Sequence, residues 1–146
     1  MSYKTILVGT DGSETAMRAV DEAVAIAART DAKLVIGVAY RCEPIDDSSG
    51  LPRDEMWQIS PGSQAEDIVF SGRDRAAKYG VESVGRSLSS ETPAAALLDL
   101  ADEVDADLIV VGNKGMTGAR RFLLGSVPNY ITHHAKCDVL IARTVD

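Results

Sequence analysis

Gly112-Asn113-Lys114-Gly115 and, beyond nine intervening residues, Gly125-Ser126 are the residues of this sequence best suited to holding an anion. Glycines let backbone N–H groups close on a phosphate, and a helix starting behind them adds the positive end of its dipole. Ser126 is a good N-cap residue, and the pattern behind it predicts a short helix over Val127 to Ala135. Pro128 is compatible with that helix, because a proline in the first turn removes an N–H that has no intrahelical partner. Lys114, Arg120 and Arg121 lie within the element and could neutralise phosphate charge; a solvated basic loop is the other use of the same three. On spacing alone the glycines fit a phosphate loop and an ordinary turn equally. A second candidate, Thr10-Asp11-Gly12-Ser13, carries a carboxylate of the type that holds ribose or magnesium. Asp beside Gly is also a common turn or cap.

Both loops follow short apolar runs, Ile6-Leu7-Val8 and Leu108 to Val111, and the chain around them alternates strand and helix. From Ser13 to Arg29, Ala16, Val20, Ala23 and Ala27 recur at the spacing of one helical face. Leu34 to Tyr40 is apolar on both faces, the mark of a buried parallel strand. Gln64 to Tyr79 is helical by the positions of Ala65, Ile68, Val69, Gly72, Ala76 and Tyr79, and Val81 to Leu88 is a weaker strand. Thr92-Pro93 opens a helix as N-cap and N1, with Leu97, Ala101 and Val104 on one face, and Val139 to Ala142 is the last strand. Five strands separated by helices predict an open, mostly parallel α/β sheet with right-handed crossovers. Ligands in such sheets bind at the carboxyl ends of the strands, where the strand order reverses. Both candidate loops fall on that edge.

Composition narrows the partners. The length of 146 residues predicts one domain, 1–146, that buries roughly 70% of its unfolded surface. A net charge of -7 argues against nucleic acid and against an anionic membrane surface, so a phosphate ligand needs local donors. No apolar run is long enough to span a bilayer, and Met1-Ser2-Tyr3-Lys4 does not open a secretory pattern, which predicts a cytoplasmic protein. Cys42 and Cys137 form no CxxC and are expected to be small reduced side chains. His133-His134 point about 100° apart on a helix, without a third ligand at useful spacing, so a solvated or capping role is expected. The segment 43–63, with the only tryptophan, Trp57, is a long polar loop. Trp57 is read as covering a ligand or partner, or as folded on its own flank. No GxxxxGK[ST] or GxGxxG is present, and no nucleophile is paired with an oriented base.

The opening Ile6-Leu7-Val8-Gly9-Thr10-Asp11-Gly12-Ser13, the glycine element and the closing Cys137-Asp138-Val139-Leu140-Ile141 together resemble the universal stress protein family. The resemblance runs essentially from end to end. It implies an open five-stranded parallel sheet in the order 3-2-1-4-5, helices on both faces, Rossmann-like and adenine nucleotide alpha hydrolase-like. It also implies a homodimer paired through the last strand, Val139 to Ala142, and binding of ATP or another adenine nucleotide with magnesium or manganese. Carried over by position, the nucleotide would meet Thr10, Asp11, Gly12, Ala39, Gly112, Gly115, Gly125, Ser126 and Val127. Asp11 would contact the ribose or, through water, the metal, and Ala39 would meet adenine through its backbone. Gly112 and Gly115 would lie against ribose and phosphate, and Gly125, Ser126 and Val127 would hold the phosphates.

Relatives often carry Gly-x-Pro where this chain has Glu91-Thr92-Pro93. A carboxylate there would lie near the nucleotide rim, which makes AMP or cyclic AMP a candidate beside ATP. The expected function is a nucleotide-dependent stress-response regulator with regulatory protein partners that the sequence does not name. A slow metal-dependent ATP hydrolase and a nucleotide-free dimerisation module are the alternatives, and the absence of an identifiable general base favours the first reading.

Overall fold

A computed structural model describes residues 3–10, 14–40, 61–89, 92–112 and 126–143. The strands are β1 (Thr5–Gly9), β2 (Lys33–Tyr40), β3 (Ser83–Ser89), β4 (Leu108–Gly112) and β5 (Asp138–Ala142). Between them run α1 (Glu14–Thr30), α2 (Pro61–Lys78), α3 (Pro93–Val104) and α4 (Ser126–His134). The strands form one parallel sheet in the order β3-β2-β1-β4-β5.

The side-chain alternation of a strand explains the layers. Ile6, Val8, Leu34, Ile36, Leu108 and Val110 share one core with Val20, Ala23, Val24 and Ala27 of α1 and Ala76 of α2. Leu7, Val35, Ala39, Ile109 and Val111 face the other way, against Leu97, Leu100 and Ala101 of α3 and Ile131 of α4. Two helices therefore cover each face. The central strands read as unbroken apolar runs because they are buried on both sides.

Three helices end in the same way. Asp31, Gly80 and Asp105 each take a left-handed conformation, with φ of 57°, 72° and 54°. The next residue then bonds back: Ala32 to Ala27, Val81 to Ala76, and Ala106 to Ala101, at 3.1, 3.0 and 2.9 Å. This αL cap satisfies the last carbonyls and turns the chain towards the following strand. It also explains why β3 starts at Ser83 and not at the expected Val81, whose N–H belongs to the end of α2. At the amino edge of the sheet, the Asp107 carboxylate accepts from the backbone N–H groups of Lys4 and Thr5.

The helix expected from Gln64 begins instead at Pro61, so the loop read as 43–63 gives up its last three residues. Proline suits the first turn of a helix, and that outweighs the small polar Gly62 and Ser63 behind it. Ala135 falls just outside α4, its N–H closing the last turn on Ile131. Among the described residues, no helix is long and apolar enough to cross a membrane.

Close approach of α2 to the sheet depends on Gly85. A Cβ placed there would stand 2.0 Å from Val69 Cγ1 and 3.2 Å from Val69 Cβ. Gly85→Ala is expected to cost about 1–3 kcal/mol in urea denaturation, since Val69 and its helix must shift. Val69→Ala in the same chain should recover much of the loss. An unchanged midpoint in Gly85→Ala would mean that α2 repacks freely.

Candidate functional site

Register brings three strand ends to one place. Gly9 of β1 lies opposite Gly37 of β2, and β2 runs on past that pair through Ala39 to Tyr40. Val8 lies opposite Val110, and β4 continues to Gly112. Gly9-Thr10, Ala39-Tyr40 and Val111-Gly112 thus form the carboxyl edge of three adjacent strands. The strand order reverses between β1 and β4. The helix after β1 lies on one face and the helix after β4 on the other, an arrangement that leaves a crevice at this point of an open α/β sheet.

The chain presents mainly backbone to that edge. Thr10 is fully buried; its N–H donates to the Gly37 carbonyl at 3.1 Å, and its hydroxyl lies 3.7 Å from Met17 Sδ. The Ala39 side chain is likewise buried, in the core beneath α3, leaving its backbone for a ligand. Gly112 is half-buried at the end of β4. Ser126 and Val127 are the first two residues of α4, and Pro128 is buried in its first turn, so free helical N–H groups start there. Asp11, Gly12, Gly115 and Gly125 lie outside the described residues. So do Lys114, Arg120, Arg121, Glu91, Trp57 and Cys42.

Two residues that shape this edge were not singled out from the sequence. Gly37 sits where a Cβ would come within 3.0 Å of Leu97 Cδ2 and 3.2 Å of Leu100 Cδ2, so α3 rests almost directly on the β2 backbone. The available signal was a glycine inside an apolar strand, which marks a close backbone approach. Met17 lies on the buried side of α1 and is 5% exposed. It had no sequence signal beyond helical spacing. At the head of α3, Thr92 takes the N-cap position (φ -126°, ψ 82°) without a side-chain capping bond, and Pro93 follows as the first helical residue. The N-cap and N1 placement was expected; a hydroxyl cap was not formed.

Charged side chains elsewhere make ordinary surface pairs. Arg75 donates to both carboxylate oxygens of Asp21, at 2.7 and 2.8 Å, tying α2 to α1. Arg86 pairs with Glu103 across the outer side of α3, and its hydrogen bond and charge hold the Glu103 carboxyl below its usual range. Burial, then Asp138, pushes the half-buried Cys137 thiol up, in keeping with a small reduced side chain. His133 Nδ1 lies 2.9 Å from the Asn129 carbonyl, and His134 packs on Tyr130 with ring centroids 4.2 Å apart. Both histidines are exposed near the helix end, as a solvated or capping role requires. Among the described residues, no group of three His, Cys, Asp or Glu could hold a metal.

Comparison with known proteins agrees along the whole length. The model of the universal stress protein family matches residues 2–143. A universal stress protein of Mycobacterium tuberculosis is 42% identical over 144 residues, which are 98% of each chain. A universal stress protein solved in complex with cAMP is 39% identical, with a TM-score of 0.76 over 99% of this chain and 100% of its own. The universal stress protein UspA from Lactobacillus plantarum is 27% identical, with a TM-score of 0.79 over 98% of this chain and 99% of its own.

Proposed function

The chain belongs to the universal stress protein family, and from that premise we propose that it is an adenine-nucleotide-binding regulator of the stress response that works as a homodimer. The observation that carries the nucleotide is the carboxyl edge of β1, β2 and β4. The Ala39 side chain is buried beneath α3 and position 112 is a glycine, so backbone lines that edge closely, beside the N-terminus of α4. Backbone donors and a helix N-terminus suit a phosphate. A backbone edge at Ala39 suits the flat, hydrogen-bonding rim of adenine. The relative solved with cAMP, 39% identical, supports the same class of ligand. Gly115, Gly125, Ser126 and Val127 would hold the phosphates, and Asp11 would take the ribose or a magnesium or manganese ion, which would neutralise phosphate charge.

The test is chromatography of whatever small molecule the freshly purified protein releases on denaturation, followed by calorimetry against ATP, AMP and cyclic AMP. Stoichiometric adenine nucleotide, or micromolar binding of one of the three, is the expected result. A protein that arrives empty and binds none would reduce the glycine element to a turn. The ranking of the three shows whether Glu91 disfavours a triphosphate.

The dimer is proposed through β5, an edge strand whose Val139, Leu140 and Ile141 are only half-buried within one chain. An edge this apolar, without lysine or proline, invites pairing with another strand. The opposite edge, β3, reads Ser-Val-Gly-Arg-Ser-Leu-Ser and is more polar. Removing Val139 to Asp146 would also strip β4 of one of its two partner strands, because all five β4 residues pair with β5. A point change separates the two effects better. Ile141→Glu is expected to convert the dimer to a folded monomer in light scattering. A variant that stays dimeric would place the pairing surface elsewhere.

A further inference from the structure

β3 is the edge of the sheet opposite β5, paired with β2 along its length and with no strand beyond it among the described residues. The Leu34 N–H donates to the Glu82 carbonyl at 3.3 Å, so Glu82 and every second residue after it turn their backbone towards β2. Ser83, Gly85 and Ser87 therefore turn N–H and C=O outwards, to the open side. Proteins blunt such an edge with proline, lysine or a bulge, and β3 carries neither proline nor lysine. Its one charged residue, Arg86, is drawn to α3 by Glu103.

Both flanks of this edge have room for side chains. Val84, Arg86 and Leu88 lie opposite Val35, Gly37 and Ala39 and share their α3-facing side. α3 itself rests on β2, where Leu97 and Leu100 meet Gly37. A groove of about 380 Å³ remains beside β3, lined by Arg86, Leu88, Ala95, Ala96, Asp99 and Glu103, and Val84 is 39% exposed. With the exposed Glu82 on the same side by alternation, three carboxylates stand there against one guanidinium. On the other face, the residues of α2 follow one another round the helix at about 100° each. Arg75 meets α1, Gly72 meets Ile36 of β2, and Val69 and Arg73 meet Gly85 of β3. Phe70 comes next in that rotation, on the flank beside the open edge, and is 74% exposed.

We propose that the open edge of β3 docks an extended, basic segment of another protein as an added strand. Main-chain bonds to Ser83, Gly85 and Ser87 hold it, and its alternate side chains part to the two faces. Lysine or arginine enters the acidic groove beside α3, and apolar residues cover Phe70.

The full chain, labelled with nitrogen-15, would be titrated with a blocked peptide of alternating lysine and valine, as long as β3. The same peptide with glutamate for lysine is the control. Saturable shifts at the Gly85 and Ser87 amides are expected, with Kd below about 1 mM and at least ~tenfold weaker binding of the control. Ser87→Pro removes an outward N–H without touching the ladder to β2, and should weaken the lysine peptide roughly tenfold. Phe70→Ser, at an exposed position, should weaken it roughly threefold and decides alone if Ser87→Pro does not fold. Equal binding of both peptides, shifts confined to β5, no saturation by either peptide, or unchanged affinity in the variants overturns the inference. So do Gly85 and Ser87 amides that resist hydrogen exchange before peptide is added. In that case light scattering of the variants assigns the edge to a second copy if the association number falls, and to another part of this chain if it does not.

Discussion

Gly115→Leu is expected to lower adenine-nucleotide affinity at least ~100-fold, a loss of about 2.7 kcal/mol, the equivalent of one or two phosphate hydrogen bonds. Gly115 lies three residues beyond the end of β4, where the family resemblance puts ribose and phosphate against the backbone. A leucine side chain would occupy the volume the ligand needs and hold the N–H groups away from it. The proposed pairing surface is β5, a different element, so circular dichroism and the association state are expected not to change. Calorimetry beside those two controls checks the prediction. Affinity equal to wild type would remove the glycine element from the site.

Leu97→Ala should produce the largest loss of stability, about 2–5 kcal/mol in chemical denaturation. Leu97 is fully buried, and its Cδ2 occupies the space that a Cβ at Gly37 would need. The truncation therefore leaves a cavity directly above a glycine, where neither partner has atoms to fill it. Leu100 and Leu7 also line this spot, and filling the cavity requires their side chains to shift or α3 to settle onto β2. A loss under about 1 kcal/mol would show that the site collapses readily, and the packing of α3 on β2 would then be softer than its geometry implies.

Local patterns carried the elements well. The face of Val20, Ala23 and Ala27 is buried as the helical spacing requires, while Ala16, read on the same face, is half-exposed. Ile6-Leu7-Val8 and Leu108 to Val111 are central strands because residues apolar on both faces have nowhere else to go. Errors fell at boundaries, where capping competes with pattern: Pro61 started α2 early, and Val81 was taken by the αL cap of the same helix. The site was legible only in part. Glycine spacing could mark loops beside strand ends, but it was the resemblance that made them a nucleotide site. The Asp11 and Gly115 loops lie outside the described residues.

The sequence by itself determined the alternation of strand and helix, the apolar character of the central strands and the unfavourable field that nucleic acid would meet. These are properties of neighbours along the chain, or of summed charge. Tertiary structure alone decided that Thr10 turns its hydroxyl towards Met17 and that Gly37 is the landing site of Leu97 and Leu100. It also decided that Gly9, Ala39 and Gly112 end on one edge. Each is a contact or alignment between segments brought together by strand register and helix packing. A period of 2.0 or 3.6 residues records which side of its own element a residue occupies, and says nothing of what stands opposite.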